Sequence, residues 1–557
     1  MALYVKSIIN LKIYKYERQN LSDMNKEKKE LDIFDTLNYS AEMVEKWGKS
    51  KLPSGETLAE KFTLDGIPFW DILSPELACY HIPVALASEV QYGSILSRVR
   101  PYLSRSKDIC LDLFRNLKNT QGCSTWPNET TFLCLGFSKL IYRDVLQPVA
   151  GQLAKQPNCR VVSLSDQPWH NTNQYSRHDI FYQTIWQHWN QKVRDSANKL
   201  QKKFNYMERE LYASNILADI ICDTGKCTWN DFKNIFIWIF RARLPRLIQQ
   251  AVVAKHILEH HHPKLVISPD VADPRTRIYG SLCKKMDIQY LVVQFGLTGS
   301  EGVEWRFFSS DKAAVWGESA KEAIMGILQD KISEEQIVIT GSPRYDSLVN
   351  VSEYEVKEKR KRLGLSEKKS LVLLASTYSN KSLDNYSDPE LLKSMKRSIF
   401  EAADKAEGIS LIVKPHPFEN VRQTRTLADK YKNIIFVSRK SDIRDLIKVC
   451  DAFISFGSTA TIDALVADKL TICPIFPGWK FSTLFKNSGT VLIPESKEDI
   501  MNIFKTISDG SYVETKAKFD LARHIFLKRI VYRTDGQATA RATALALKMV
   551  RIGEKND

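Results

Sequence analysis

The feature that most constrains this chain is an alternation of short apolar runs, turn residues and amphipathic helical stretches that occurs twice along its 557 residues. The first series begins with TTFLCLGFSKLIYRDVLQPVAGQLAKQPNCRVVSLS. It resumes after Pro263 with KLVISPD, a helix around RTRIYGSLCKKM, then QYLVVQFG, KAAVWGE and QIVITGSPRYD. The second series runs through SLVLLAST, a helix from Asp388 to Glu407, ISLIVKPHP, NIIFVS, DAFISFGS, TICPIF and TVLIP. Continuous apolar runs of this length, without polar alternation, suit strands covered on both faces. Strand, helix and strand in succession require parallel pairing with covering helices. The predicted fold class is therefore α/β: two Rossmann-like parallel-sheet lobes with a cleft between them, an N-terminal helical region and a helical insertion.

The boundaries follow from where the pattern lapses. Residues 1–120 are charge-rich and amphipathic and read as a helical prelude, with GIPFWDILSPELACYHIPVALASEV as a helix entered at a proline. Residues 121–347 form the first lobe, interrupted at about 170–262 by a helical, aromatic insertion. The charged stretch SEYEVKEKRKRLGLSEKK separates it from a second lobe at 348–520, and 521–557 read as a helical tail.

Composition narrows the partners. A formal charge of +15 favours polyanions or phosphorylated ligands. No RNA-reading aromatic signature or paired Cys/His finger spacing accompanies it, so nucleic acid is not expected. The ten cysteines are scattered without a repeated CxxC, which suits a reducing cytoplasm and no metal site. The run His260-His261-His262 reads as a helix end before Pro263, because consecutive helical residues do not share a face. MALYVKSIINLKIYKY is broken by Lys6 and Lys12 and is not read as an export signal, and no uncharged apolar stretch reaches membrane-spanning length. FKNIFIWIFRARLPRLIQQ, with Arg241, Arg243 and Arg246, reads either as an interfacial helix or as apolar residues buried against the first lobe.

Ligands of open parallel sheets bind beyond the carboxyl ends of strands, so the residues after each apolar run carry the functional weight. Lys414-Pro415-His416-Pro417 places a cation and an imidazole in a proline-stiffened turn, suited to an anion. Gly457, Ser458, Thr459 and Thr461 stand between a strand and a helix, where hydroxyls and free N–H groups cap the helix or receive phosphate. Arg344, in TGSPRYD, either reaches the donor or pairs with Asp346 to fix a hinge.

The order SPD, VVQFG, VWGE, TGSPRYD, KPHP and FGSTATIDAL resembles a GT-B superfamily of bacterial surface-carbohydrate enzymes. Its members include capsule and lipopolysaccharide glycosyltransferases, CDP-glycerol glycerophosphotransferases and UDP-GlcNAc 2-epimerases. The resemblance spans residues 125–510 and implies that His416, Ser458 and Thr459 hold a nucleotide phosphate. One departure stands out: many relatives carry His-Gly where this chain has Gln294-Phe295-Gly296, and phenylalanine transfers no proton. The acceptor's base must then be another group. Asp270 and Asp273 follow a strand directly, and Glu301 and Glu304 lie in GLTGSEGVEWRFF; Asp270 could equally serve as a helix N-cap.

These readings imply a metal-independent, cofactor-free glycosyltransferase of capsule or lipopolysaccharide biosynthesis. It would move a sugar from a nucleotide-activated donor, CMP-linked Kdo or sialic-type favoured, to a glycan or lipid-linked acceptor, with peripheral contact with anionic membrane at its inner face. A CDP-glycerol-type polyol-phosphate transferase, a UDP-sugar 2-epimerase and a non-catalytic glycan-binding scaffold are the alternatives, and the oligomeric state is open.

Overall fold

The computed structural model describes residues 33–83, 129–167, 180–213, 215–222, 228–298, 302–349, 351–362, 364–365, 369–378, 389–416, 419–479 and 483–552. A short hairpin, β1 (Thr63–Leu64) with β2 (Ile67–Pro68), precedes two parallel sheets. The first sheet comprises β3 (Thr130–Leu135), β4 (Cys159–Ser165), β5 (Phe181–Thr184), β6 (Leu265–Ser268), β7 (Gln289–Val293), β8 (Lys312–Val315) and β9 (Ile337–Ile339). Its order is β5-β4-β3-β6-β7-β8-β9. The second comprises β10 (Ser370–Ala375), β11 (Ile409–Lys414), β12 (Ile434–Phe436), β13 (Ala452–Ser455) and β14 (Leu470–Ile472), in the order β12-β11-β10-β13-β14. Both sheets grow outward from their first strand and then switch to its other side, the doubly wound pattern of Rossmann-like folds.

Two compact units result. One comprises Met1–Pro343 with Thr539–Asp557, the other Arg344–Ala538. The tail expected at 521–557 is therefore divided: the helix Asp520–Val531 belongs to the second unit, and most of the helix Ala538–Ile552 to the first. In the first unit Ala542, Leu545, Ala546 and Met549 are buried with Phe132, Cys134 and Leu146 on one face of the sheet. Deletion of this helix would expose that apolar face, which is why so late a segment is held to so early a sheet.

The other face is covered by the prelude and the insertion together. Trp47 meets Phe232 edge-on at 5.1 Å between ring centroids, and Phe62 lies 5.8 Å from Phe240. Phe232, Ile235, Phe236, Ile239, Phe240, Leu244, Leu247 and Ile248 are all buried in this core. The apolar side of the segment that could have lain on a membrane is thus spent inside the unit, and Arg243 and Arg241 pair with Glu76 and Glu208. No described helix is long and apolar enough to cross a membrane.

The insertion is not wholly helical. β5 lies within it and pairs in parallel with β4, from Val162 opposite Phe181 to Ser165 opposite Thr184. FYQT is an edge strand whose residues are mostly half-exposed, so it lacks the apolar run that marks the other strands. TVLIP, expected as a strand, contributes only a bridge between Ile472 and Leu492. The hairpin β1–β2 lies in the expected helical prelude, at the entry of the helix expected in GIPFWDIL; it turns at Asp65 and Gly66, both at positive φ. The part of the helical prelude beyond residue 83 and before residue 33 lies outside the described residues.

Candidate functional site

In the second unit the order of strands places the switch between β10 and β13, where the chain departs in opposite directions and leaves a crevice at the strand ends. Ser376-Thr377-Tyr378 follow β10, Pro415 and His416 follow β11, Ser438-Arg439-Lys440 come after β12, and Phe456-Gly457-Ser458-Thr459 follow β13. Lys414, at the end of β11, and His416, on the loop after it, therefore sit beside the end of β10, and Ser458 and Thr459 on the loop at its other side.

Each loop is built by buried polar contacts. Glu419, 3% exposed, accepts hydrogen bonds on Oε1 from Ser376 Oγ at 2.7 Å, Lys396 Nζ at 2.6 Å and Thr424 Oγ1 at 2.5 Å. Its Oε2 accepts the backbone N–H of His416 at 3.0 Å. Lys396 Nζ also donates to the Thr377 carbonyl at 2.6 Å, and Arg439 donates to the Glu419 carbonyl. Burial opposes the charge on Glu419, but Lys396 and the two hydroxyls hold its carboxyl below the usual carboxylate range.

The imidazole of His416 lies 4.9 Å from the ring of Tyr378. Burial pushes its pKa down, the Glu419 carboxylate pushes it back up, and the Lys414 and Lys396 cations lower it further. At neutral pH it is therefore a neutral imidazole, able to donate or accept a hydrogen bond. Lys414 is buried, with Nζ on the Pro415 carbonyl at 2.9 Å, and burial lowers its pKa although Asp442 and Glu419 favour the charge. It lends the crevice positive potential more than surface. Pro417 lies outside the described residues.

Across the switch, Gly457 takes φ +86°, a conformation that glycine adopts without strain, and its N–H donates to Ser455 Oγ at 3.3 Å. The hydroxyls of Ser458 and Thr459 are exposed, and Thr459 stands at the N-cap of Ala460–Val466 without a side-chain capping bond. Thr461 corrects the expectation of ligand contact: it is fully buried, and its Oγ1 lies 2.7 Å from Ser455 Oγ. It ties the helix to β13 and presents nothing to a ligand.

Arg344 is likewise a support. Its Nε and Nη2 grip Asp463 at 3.0 and 2.6 Å, and Asp463, on that same short helix, is completely buried. Asp346, the partner expected from the sequence, instead accepts the N–H of Ala538 at 3.0 Å. The short spacing between Arg344 and Asp346 suggested a pair, but the fold brings the arginine to a carboxylate 119 residues away.

The acceptor-side residues lie in the first unit at the end of β6. Asp273 is the N-cap of the helix Pro274–Met286 and is gripped by Arg275, whose Nη1 also reaches Asp166 at 2.6 Å. A carboxylate committed to a cap and a bidentate cation is a poor base, and Asp273 is removed from the candidates. Asp270 is not the N-cap. Its Oδ1 accepts the N–H groups of Ala272 and Asp273 at 2.7 and 3.1 Å, and burial with the nearby Asp273 charge pushes its pKa up to about 6. Burial also raises the Glu304 carboxyl, with the Asp270 charge adding to it. A buried carboxylate whose pKa is raised toward the working pH, while it is still ionised at neutrality, is suited to take a proton from a hydroxyl, and Asp270 has that character. Glu301 lies outside the described residues.

Gln294 is a structural latch: its amide donates to the Gly296 carbonyl and Thr298, while its oxygen accepts the Trp316 N–H at 2.8 Å. Phe295 packs against the first unit's core. Among the described residues no group of three or more His, Cys, Asp or Glu is arranged to hold a metal ion.

Residues 319–476 match the family model described as CDP-Glycerol:Poly(glycerophosphate) glycerophosphotransferase. Each of the two units carries a parallel sheet of Rossmann-like, doubly wound order. The match supports a transferase that uses a nucleotide-linked donor, and it contains Arg344, Lys414, His416, Glu419 and the residues 457–463. Nothing in it favours the CMP-linked Kdo or sialic-type donor expected from the sequence. No curated protein is a significant match. Solved structures resembling the chain include a Neisseria meningitidis UDP-GlcNAc 2-epimerase bound to UDP-GlcNAc, 13% identical with a TM-score of 0.47, covering 75% of this chain and 100% of that one. A variant of the wall teichoic acid polymerase TagF soaked with CDPG is 14% identical with a TM-score of 0.47, covering 83% and 100%.

Sequence reasoning missed Ser376, Lys396, Glu419, Arg439 and Asp463. The Ser-Thr after SLVLLA was available as a strand-end signal. The others lie on helices or later in loops, and only the packed fold brings them to the site.

Proposed function

We propose that this chain is a polyol-phosphate transferase that moves a glycerophosphate-type group from a CDP-linked donor to a hydroxyl of a cell-surface polymer. The observation that carries the reading is the overlap of the glycerophosphotransferase match with the strand ends of the second unit, where Lys414 and His416 lie at the end of β11 and the Ser458-Thr459 loop follows β13, on either side of β10. In the reaction, an acceptor oxygen attacks the phosphorus bearing the polyol, its bond to the CMP oxygen breaks, and CMP departs with the electron pair. The acceptor's proton passes to a carboxylate, assigned here to Asp270 with Glu304 beside it, since Phe295 holds no proton. His416 donates a hydrogen bond to the departing phosphate, and Lys414 offsets its charge.

Thermal shift against CDP-glycerol, a CMP-linked sugar and UDP-GlcNAc tests the donor. A ligand at about 100 times its Kd stabilises the folded state by about 2.7 kcal/mol. CDP-glycerol is expected to raise Tm most, with the shift reduced in His416→Ala. A larger shift with the CMP- or UDP-linked sugar overturns the reading.

A further inference from the structure

We infer that Glu419, held in place by Lys396, is the positioning residue that fixes His416 for the donor's departing phosphate. The inference rests on the donor site proposed above. His416 sits in a slot with two walls. One is its own backbone, and the Glu419 carboxylate takes its N–H while the Glu419 N–H returns to the His416 carbonyl, both at 3.0 Å. The other is the loop of Tyr378, whose ring faces the imidazole. That loop is tied to the same ion pair twice, through Ser376 Oγ on Glu419 and through the Thr377 carbonyl on Lys396.

A single buried carboxylate thus joins the ends of β10 and β11, the helix Pro389–Lys405 through Lys396, and the helix Val421–Ala428 through Thr424. Arg439, after β12, adds a third strand end by donating to the Glu419 carbonyl. An apolar core would fill this space at lower desolvation cost, since two buried charges must be offset by good geometry. The retained charge has an electrostatic consequence: Glu419 is a negative group acting on His416, against Lys414 and Lys396. It keeps the imidazole protonatable at the moment when a phosphate dianion leaves.

The test uses the full chain with Glu419→Gln and with the pair Lys396→Met, Glu419→Gln, which leaves no unpaired buried cation. NMR titration, assigned by difference from His416→Ala, reads the imidazole pKa without any donor. Glu419→Gln is expected to lower that pKa. It should also reduce kcat with CDP-glycerol at least tenfold while KM changes less than threefold, and move the alkaline limb of the kcat profile to lower pH. The double variant is expected to recover Tm but neither kcat nor the pH profile. An unmoved His416 titration, or a double variant with wild-type kcat and pH profile, overturns the inference and leaves the pair a structural support. If the titration shifts while CDP-glycerol neither binds nor reacts with the wild type, the donor reading fails and the coupling of Glu419 to His416 stands.

Discussion

Removal of Arg344 gives the sharpest energetic test of how the donor-side loop is built. Its guanidinium is the bidentate partner of Asp463, which has no exposed surface, whereas the arginine side chain itself is 24% exposed. Truncation to alanine takes the bidentate guanidinium away from a carboxylate in the interior. Such losses cost about 3 to 5 kcal/mol, and the partial exposure of the arginine, which lets water reach the vacated space, points to about 3 kcal/mol. With a urea m-value of about 2 kcal/mol/M, the second unit's transition midpoint should fall by about 1.5 M. The double variant Arg344→Met, Asp463→Leu removes both charges and should recover most of the loss, so the coupling in a double-mutant cycle should be large. A single Arg344→Ala variant that loses under about 1 kcal/mol, or a double variant no more stable than it, would refute the assignment of Arg344 as the support of the helix Ala460–Val466. In that event Arg344 returns as a direct ligand of the donor.

The first unit should be acid-sensitive. His188, His256, His260 and His261 cluster with ring centroids 4.8 to 6.4 Å apart, and Gln183 Oε1 accepts from the Nε2 of His188 and His261. Burial and the neighbouring imidazoles lower His188 to about 4 and His261 to about 3. These folded-state values lie below the unfolded one, so the unfolded chain binds more protons and stability falls as pH drops below about 6.5. The His188 shift alone corresponds to on the order of 3 kcal/mol by pH 4. Urea titrations at pH 7 and 5 should show the loss, and His188→Gln should flatten it; an unchanged slope in that variant contradicts the assignment. Asp270→Asn should cut transfer about 100-fold or more while CDP-glycerol affinity stays within threefold. In the wild type kcat/KM should fall as pH drops through about 6, because the raised Asp270 carboxyl is protonated there; a profile flat from pH 5 to 8 argues for another base.

The sheets were legible because buried parallel strands are written as contiguous apolar runs: LVIS, LVLLA and SLIVK each become a strand of a parallel sheet. β5 was not, since an edge strand with mostly half-exposed residues has no such run. At the site, the sequence pointed to His416, Ser458 and Thr459 by their position after strands. It could not separate Thr461 from them, because a hydroxyl aimed at Ser455 and one aimed at solvent differ only in packing. Glu419 and Lys396, and likewise Arg344 and Asp463, are long-range pairs that a single sequence does not announce. The histidine cluster was half visible: the run His260-His261-His262 ends a helix as expected, with His262 at positive φ, but His188 joins it from the far side of the insertion.

The central claim is that the group transferred carries its phosphorus with it. The most direct measurement supplies CDP-glycerol labelled with 32P in the phosphate that bears the glycerol, together with a polyol or glycan acceptor. The expected result is label in the polymer, one CMP released per group transferred, and loss of both in His416→Ala. Label remaining with the nucleotide, or an unlabelled sugar-bearing product formed from a nucleotide-sugar donor, would contradict the account.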